Sequence, residues 1–224
     1  MNYLGQLLGQ LLRVIYHLVG NYGVAIILFT LLMKLLMVPL AFLQSKSTQE
    51  TKLLQPKMKM IQEKYKHDQE ILSQKTMELY KEQHINPFSG CLPLIIQMPI
   101  VLGLFTVLRS PEIYVFSATS VSTLLQTHFL WVRDLFLPDP WIFPILAGLT
   151  TFFSSQSASS TSTSKDRSML SILPVMMSFM IFWWSRSFPA GLTLYWVTGN
   201  IFQLFQQRVL NHFIFTQTKT ASHP

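Results

Sequence analysis

Lys34 is the single charged residue in the run AIILFTLLMKLLMVPL, Ala25 to Leu40. An ammonium so placed can hold an anion or draw in an acidic chain segment. It is also a liability. With about 1.5 Å of helical rise per residue, Lys34 lies roughly 15 Å from either end of a span covering 24–43. Its side-chain stem reaches only about 6 Å, so snorkelling alone does not bring the charge to water. Facing lipid at that depth costs at least about 2.5–3.5 kcal/mol. A carboxylate would offset this, yet all ten acidic residues fall outside the apolar runs or, like Asp139, at their edges.

What the other apolar runs offer instead is uncharged polar groups. Thr30 precedes Lys34 by one helical turn and shares its face. Gln97 lies in a second run, and Ser154, Ser155 and Gln156 close a third. Thr193, Trp196, Asn200, Gln203 and Gln207 recur at spacings 3, 4, 3, 4, a stripe down one helix face. These groups together can line a wet cavity that hydrates the cation. The competing reading is that they hydrogen-bond between helices as packing contacts, with Lys34 neutral or solvated by backbone carbonyls.

The elements that must position them are helices in a membrane. Only 12% of the 224 residues are charged, against about 25% in a soluble domain. The chain reads as an all-α polytopic membrane protein with five transmembrane helices, at 21–43, 87–109, 135–153, 169–186 and 189–211. Each run is near the roughly 20 residues a span needs. Pro93, Pro99, Pro144 and Pro174 fall inside them, which spanning helices tolerate. Residues 1–20 form a short amphipathic helix ahead of the first span. They lack the basic start and the small-residue cleavage site of a signal peptide.

Residues 44–86 are of another kind. Leu54, Met58, Ile61 and Tyr65 recur at helical spacing, and Leu72, Thr76 and Leu79 resume the pattern after Asp68, a candidate N-cap. That predicts a helical hairpin outside the membrane, ended at Asn86-Pro87. Residues 110–134 are an extracytoplasmic loop. The segment 154–168 is low in complexity and predicts a flexible cytoplasmic loop, and 212–224 a cytoplasmic tail. Lysines Lys46, Lys52, Lys57, Lys59, Lys64, Lys66, Lys75 and Lys81 crowd the hairpin, and Lys165, Arg167, Arg208 and Lys219 share its side. Arg13, Arg109, Arg133 and Arg186 fall on the other. The excess marks the cytoplasm, with the N-terminus outside and the C-terminus inside.

Several chemistries are disfavoured. One cysteine, Cys91, allows no intrachain disulfide or cysteine zinc site. The histidines are too scattered to pair on a metal. No phosphate-binding glycine loop, nucleophile elbow or intramembrane acid pair is found, so no enzyme and no cofactor is expected. A small transporter or channel using Lys34 as an anion site is the alternative. The odd span count and the lack of internal symmetry or an intramembrane carboxylate weigh against it.

The stretches LQPKMKMIQEKYK, INPFSGCLPLIIQMPI and FPAGLTLYWVTGN resemble the YidC/Oxa/Alb family of membrane-protein insertases over residues 21–213. In size the chain is similar to the compact Gram-positive form, without a large extracytoplasmic domain. The resemblance implies five helices around a hydrophilic groove open to cytoplasm and lipid. It places a positive groove residue at Lys34, where relatives usually carry arginine, and substrate-contacting positions at Thr30, Trp196 and Ser155 or Gln156. It implies a bacterial plasma membrane location and a chaperone-like insertase of short-tailed membrane proteins that needs no nucleotide. Nascent membrane proteins and the bilayer are the implied partners, with the Sec translocon, ribosome and signal-recognition components reached through the hairpin lysines Lys57, Lys59, Lys64 and Lys66. No sequence-specific nucleic-acid binding is implied.

Overall fold

The computed structural model describes residues 2–83, 92–115, 129–159 and 169–221, and within these the regular structure is helical. The helices are α1 (Asn2–Val19), α2 (Tyr22–Leu36), α3 (Val38–Lys64), α4 (Gln69–Glu82), α5 (Leu92–Arg109), α6 (Pro111–Tyr114), α7 (Ile142–Ser159), α8 (Met169–Ser185) and α9 (Ala190–Ala221). Two compact units are formed, one from Met1–Met37 with Gln97–Gln206, the other from Val38–Ile96 with Gln207–Pro224. The hairpin end at Asn86-Pro87 with the whole of INPFSGC, the loop residues 116–128 and the segment 160–168 lie outside the described residues.

In the first unit, α1 packs on α2 and α6, and α7 packs along α8. Gly20, at φ +69°, ends α1 in the left-handed region, where a side chain is strained. Asn21 starts α2 at once, its Oδ1 accepting from the Val24 N–H at 3.1 Å. The core gathers Leu8 and Leu12 of α1, Tyr22, Ile26 and Phe29 of α2, Leu104 and Leu108 of α5, Phe143 of α7 and Tyr195 of α9.

Four sequence-based boundaries change. The expected first span, 21–43, is interrupted at Met37. Pro39 has no N–H to give the Leu35 carbonyl, and the Met37 N–H is shared between the carbonyls of Met33 and Lys34, each at 3.2 Å. The expected third span, 135–153, begins as a helix only at Ile142. Pro138 and Pro140 interrupt the run, and the strap before them has another task. Leu137 and Leu135 accept from the N–H groups of Ala190 and Gly191 at 2.9 and 2.8 Å, satisfying donors that the start of α9 leaves orphaned. Helix also continues where a loop and a tail were expected, to Ser159 in α7 and to Ala221 in α9. Serine tolerates this by bonding back within the helix, as Ser155 does to the Phe152 carbonyl at 2.9 Å.

Among the described residues no single helix is long and apolar enough to cross a membrane. Tyr22–Leu36 and Val38–Thr51 reach that length and composition together, and Ile95–Arg109, Ile142–Gln156 and Pro174–Ser185 are shorter apolar helices.

The second unit contains the hairpin of α3 and α4. Leu54 and Leu79 are buried, and Met58, Ile61, Tyr65, Leu72 and Thr76 are half-buried on the faces their spacing marks. The Tyr80 hydroxyl donates to Met58 Sδ at 3.3 Å, tying the helices together. Burial raises the Tyr80 phenol above its ordinary value, and the hydrogen bond and charge of Glu78 raise Lys75. Both groups hold their proton more tightly when folded. Their contribution is therefore full below the ordinary range near about 10 and fades as pH rises through the raised values. Asp68 caps α4, its Oδ1 accepting from the Glu70 and Ile71 N–H groups at 3.1 and 3.0 Å. Asp68→Ala is expected to weaken α4 by about 1 kcal/mol, read as faster amide exchange at Glu70 and Ile71 than at the start of α2.

Candidate functional site

Lys34 stands in the last turn of α2, two residues before the helix ends at Leu36. The sequence places it at mid-span. The structure places it within one turn of the break between α2 and α3 at Met37. Its side chain is half-buried. Among the described residues its ammonium has no hydrogen-bond or ion-pair partner.

The neighbour that makes room for it is a glycine. A Cβ built on Gly199 of α9 would lie 3.1 Å from Lys34 Cε, 3.6 Å from its Nζ and 3.8 Å from Thr30 Cγ2. Thr30 and Lys34 thus both face the same bare patch of α9 backbone, one turn apart on α2. The Phe29 and Tyr195 rings, 6.4 Å between centroids, hold α2 against α9 beside that patch. Gly199 was not singled out from the sequence. The available signal was its place inside a helical run, where glycine is unfavourable by about 1 kcal/mol unless a close approach requires it.

The polar groups expected around Lys34 are largely committed elsewhere. Thr30 is fully buried, and its hydroxyl donates to the Ile26 carbonyl of its own helix at 2.6 Å. Gln97 of α5 donates through Nε2 to the Tyr195 hydroxyl. Trp196 Nε1 donates to Thr151 Oγ1 of α7 at 3.0 Å. The Asn200 amide meets Thr150 Oγ1 and Thr151 Oγ1 at 3.2 and 2.9 Å. With its Oδ1 turned to this cluster it also accepts from the Thr151 N–H and from Trp196 Nε1, each at 3.2 Å. Trp196 and Asn200, one turn apart, therefore clasp the threonine pair of α7, the interhelical role that competed with cavity lining. Thr150 and Thr151 were missed because their partners come from a helix some 45 to 50 residues away in sequence. Gln203 is half-buried, Ser155 is bonded within α7, and Gln156 is exposed.

Two arrangements thus meet α9. On one side α2 presents Thr30 and Lys34 to Gly199, and on the other α7 presents Thr150 and Thr151 to Trp196 and Asn200. The hairpin lysines belong to the second unit. Lys57, Lys64 and Lys66 are exposed and Lys59 is half-buried. Lys64 lies over the Tyr65 ring, 5.3 Å from its centroid. No cluster of three or more His, Cys, Asp or Glu suited to a metal occurs among the described residues.

The clasp yields a direct expectation. Thr151→Val keeps the shape and removes the hydroxyl. It should lower stability by about 0.6–1.7 kcal/mol, the range for hydrogen bonds between membrane helices, measured by reversible unfolding in mixed micelles.

Comparison with known proteins agrees with this architecture. The family of 60Kd inner membrane proteins matches residues 14–218. A protein of Francisella philomiragia subsp. philomiragia named membrane protein insertase YidC is 35% identical over 221 residues, covering 98% of this chain and 38% of the relative. Its namesake in Francisella tularensis subsp. novicida is 36% identical over the same shares. A solved structure described as an active YidC insertase with the first transmembrane domain resolved superposes with a TM-score of 0.63 at 31% identity, over 85% of this chain and 42% of that one. The chain spans about two fifths of the length of these relatives. It belongs to the family of 60Kd inner membrane proteins.

Proposed function

We propose that the chain is a membrane-protein insertase and chaperone. It guides short-tailed transmembrane proteins into the bilayer through a hydrated, positively charged groove, without nucleotide hydrolysis. The observation that carries this reading is Lys34. It is half-buried in an apolar helical unit, laid across Gly199, and no acidic partner for it exists among the described residues. A fixed cation left unpaired inside such a unit attracts a transient anion better than one already neutralised. The names of the relatives, membrane protein insertase YidC, support the same activity.

In this reading five spans at 21–43, 87–109, 135–153, 169–186 and 189–211 cross a bacterial inner membrane, with the N-terminus outside and the C-terminus in the cytoplasm. The first would be α2 continued by the start of α3. Lys34 draws the acidic outer segment of a substrate into the inner half of the bilayer. Trp196 touches the substrate there, Thr30, which is fully buried, packs beside Lys34 and shapes its surroundings, and Gln97, Ser155, Gln156, Asn200 and Gln203 border the groove. The apolar span of the substrate then leaves sideways into lipid, where burial of each methylene favours it by about 0.8 kcal/mol. Its polar segment completes the crossing over a shortened apolar barrier. Lys57, Lys59, Lys64 and Lys66 dock partners on the cytoplasmic side, of which the ribosome, signal-recognition components and the Sec translocon are those the resemblance implies.

Reconstitution into pure liposomes with one small single-span substrate tests the proposal, with protease protection of the substrate's outer segment as the readout. Two unit charges about 4 Å apart attract by about 1 kcal/mol even at the dielectric of water. Lys34→Ala is therefore expected to slow insertion of acidic-tailed substrates about fivefold or more. Lys34→Arg, which keeps a cation, is expected to retain activity. Unimpaired insertion by the alanine variant would remove Lys34 from the mechanism.

A further inference from the structure

Arg186 follows α8 and lies against two indoles, with its guanidinium carbon 4.5 Å from the Trp141 ring centroid and 5.8 Å from that of Trp183. Both rings are open to the surroundings. Trp141 is 54% exposed and Trp183 59%, and Trp184 beside them is 53% exposed. Indoles that face outward while bracing a cation are amphipathic: apolar in body, with a donor N–H at the edge. Ring contacts use the faces of a guanidinium and leave its in-plane N–H groups free to donate.

No acceptor for those N–H groups is present among the described residues. The acid near Trp141 in sequence is Asp139, which is buried and committed, with Oδ2 accepting from the Phe143 N–H at 2.6 Å. Below the indoles run unpartnered apolar faces. On α7 these are Ile142, Ile145 and Leu149, and on α8 Phe179, Met176 and Ile172, all exposed. Such faces suit acyl chains, and tryptophans at their end suit the level where chains give way to headgroups. At that level the abundant acceptor is phosphate, which matches the guanidinium fork in charge and geometry.

We propose that Arg186, braced by Trp141 and Trp183, binds the phosphodiester of a phospholipid headgroup. This fixes the depth of the α7–α8 pair in the bilayer. The inference rests on the membrane-spanning part of the proposed function and is independent of the role of Lys34. In the orientation given above the lipid belongs to the outer leaflet. The indoles do not contact phosphate. They exclude water from one side of the guanidinium and hold its N–H edge outward.

The test is native mass spectrometry of the delipidated 224-residue chain in detergent, titrated with phosphatidylglycerol. Loss of charge-assisted hydrogen bonds predicts about tenfold weaker retention of the most tightly held lipid in Arg186→Gln. Arg186→Lys, which keeps the charge and loses the fork, is expected to fall between. Equal retention by wild type and Arg186→Gln would overturn the proposal. Displacement of the lipid by low-millimolar inorganic phosphate would overturn it as well, since the site would then be one for free anions. In nanodiscs, lipids brominated near the headgroup are expected to quench the indole fluorescence of both proteins. Quenching with unchanged lipid retention would refute the Arg186 site alone, and absence of quenching would refute the membrane placement beneath it.

Discussion

Polar groups inside an apolar bundle have to find their partners within it, because burying one unpaired is costly. Most of the first unit can be understood from that constraint. Thr30 turns back to its own helix, Gln97 meets Tyr195, and Trp196 and Asn200 take hold of Thr150 and Thr151. The strap at Leu135 and Leu137 lends carbonyls to the start of α9. Each of these contacts removes an orphan and also fixes the register of one helix against another. Lys34 is a charged group deep in the bundle to which it gives space but no acceptor among the described residues. That imbalance makes it the natural place for something that comes and goes.

The relation between space and charge has a simple origin. A lysine stem needs volume along its whole length, and an ammonium needs a polar surrounding only at its tip. Gly199 gives the stem and its ammonium a trough in the surface of α9. That provision requires no acidic residue, and a carboxylate there would quench the charge that the proposed function uses. The hairpin unit obeys different rules. Apart from Lys59 its described charges are exposed, its ion pair of Lys75 with Glu78 is a surface one at 2.6 Å, and its order comes from an apolar seam and a cap.

What the sequence made legible was mostly local or mostly negative. Asp68 was readable as a cap because capping involves residues two and three positions away. The lack of an acid at the depth of Lys34 was readable because it depends only on where acidic residues are not. The face shared by Trp196 and Asn200 was readable from spacing, but which helix that face would meet was not. Residues 135–141 were misassigned to a helix because their composition is apolar. Pro138 and Pro140, and the need of α9 for carbonyls, decide otherwise. Gly199 was hidden because a glycine in a sequence shows what is missing and gives no sign of what fills the gap.

That glycine ties two positions together. A side chain at 199 and a long side chain at 34 compete for one volume, so neither site is free to drift alone. Exchanges that are harmful singly can be tolerated as a pair, and their energies will not add. Within related chains the bulk allowed on α9 at this level should rise only as the reach of the residue on α2 falls.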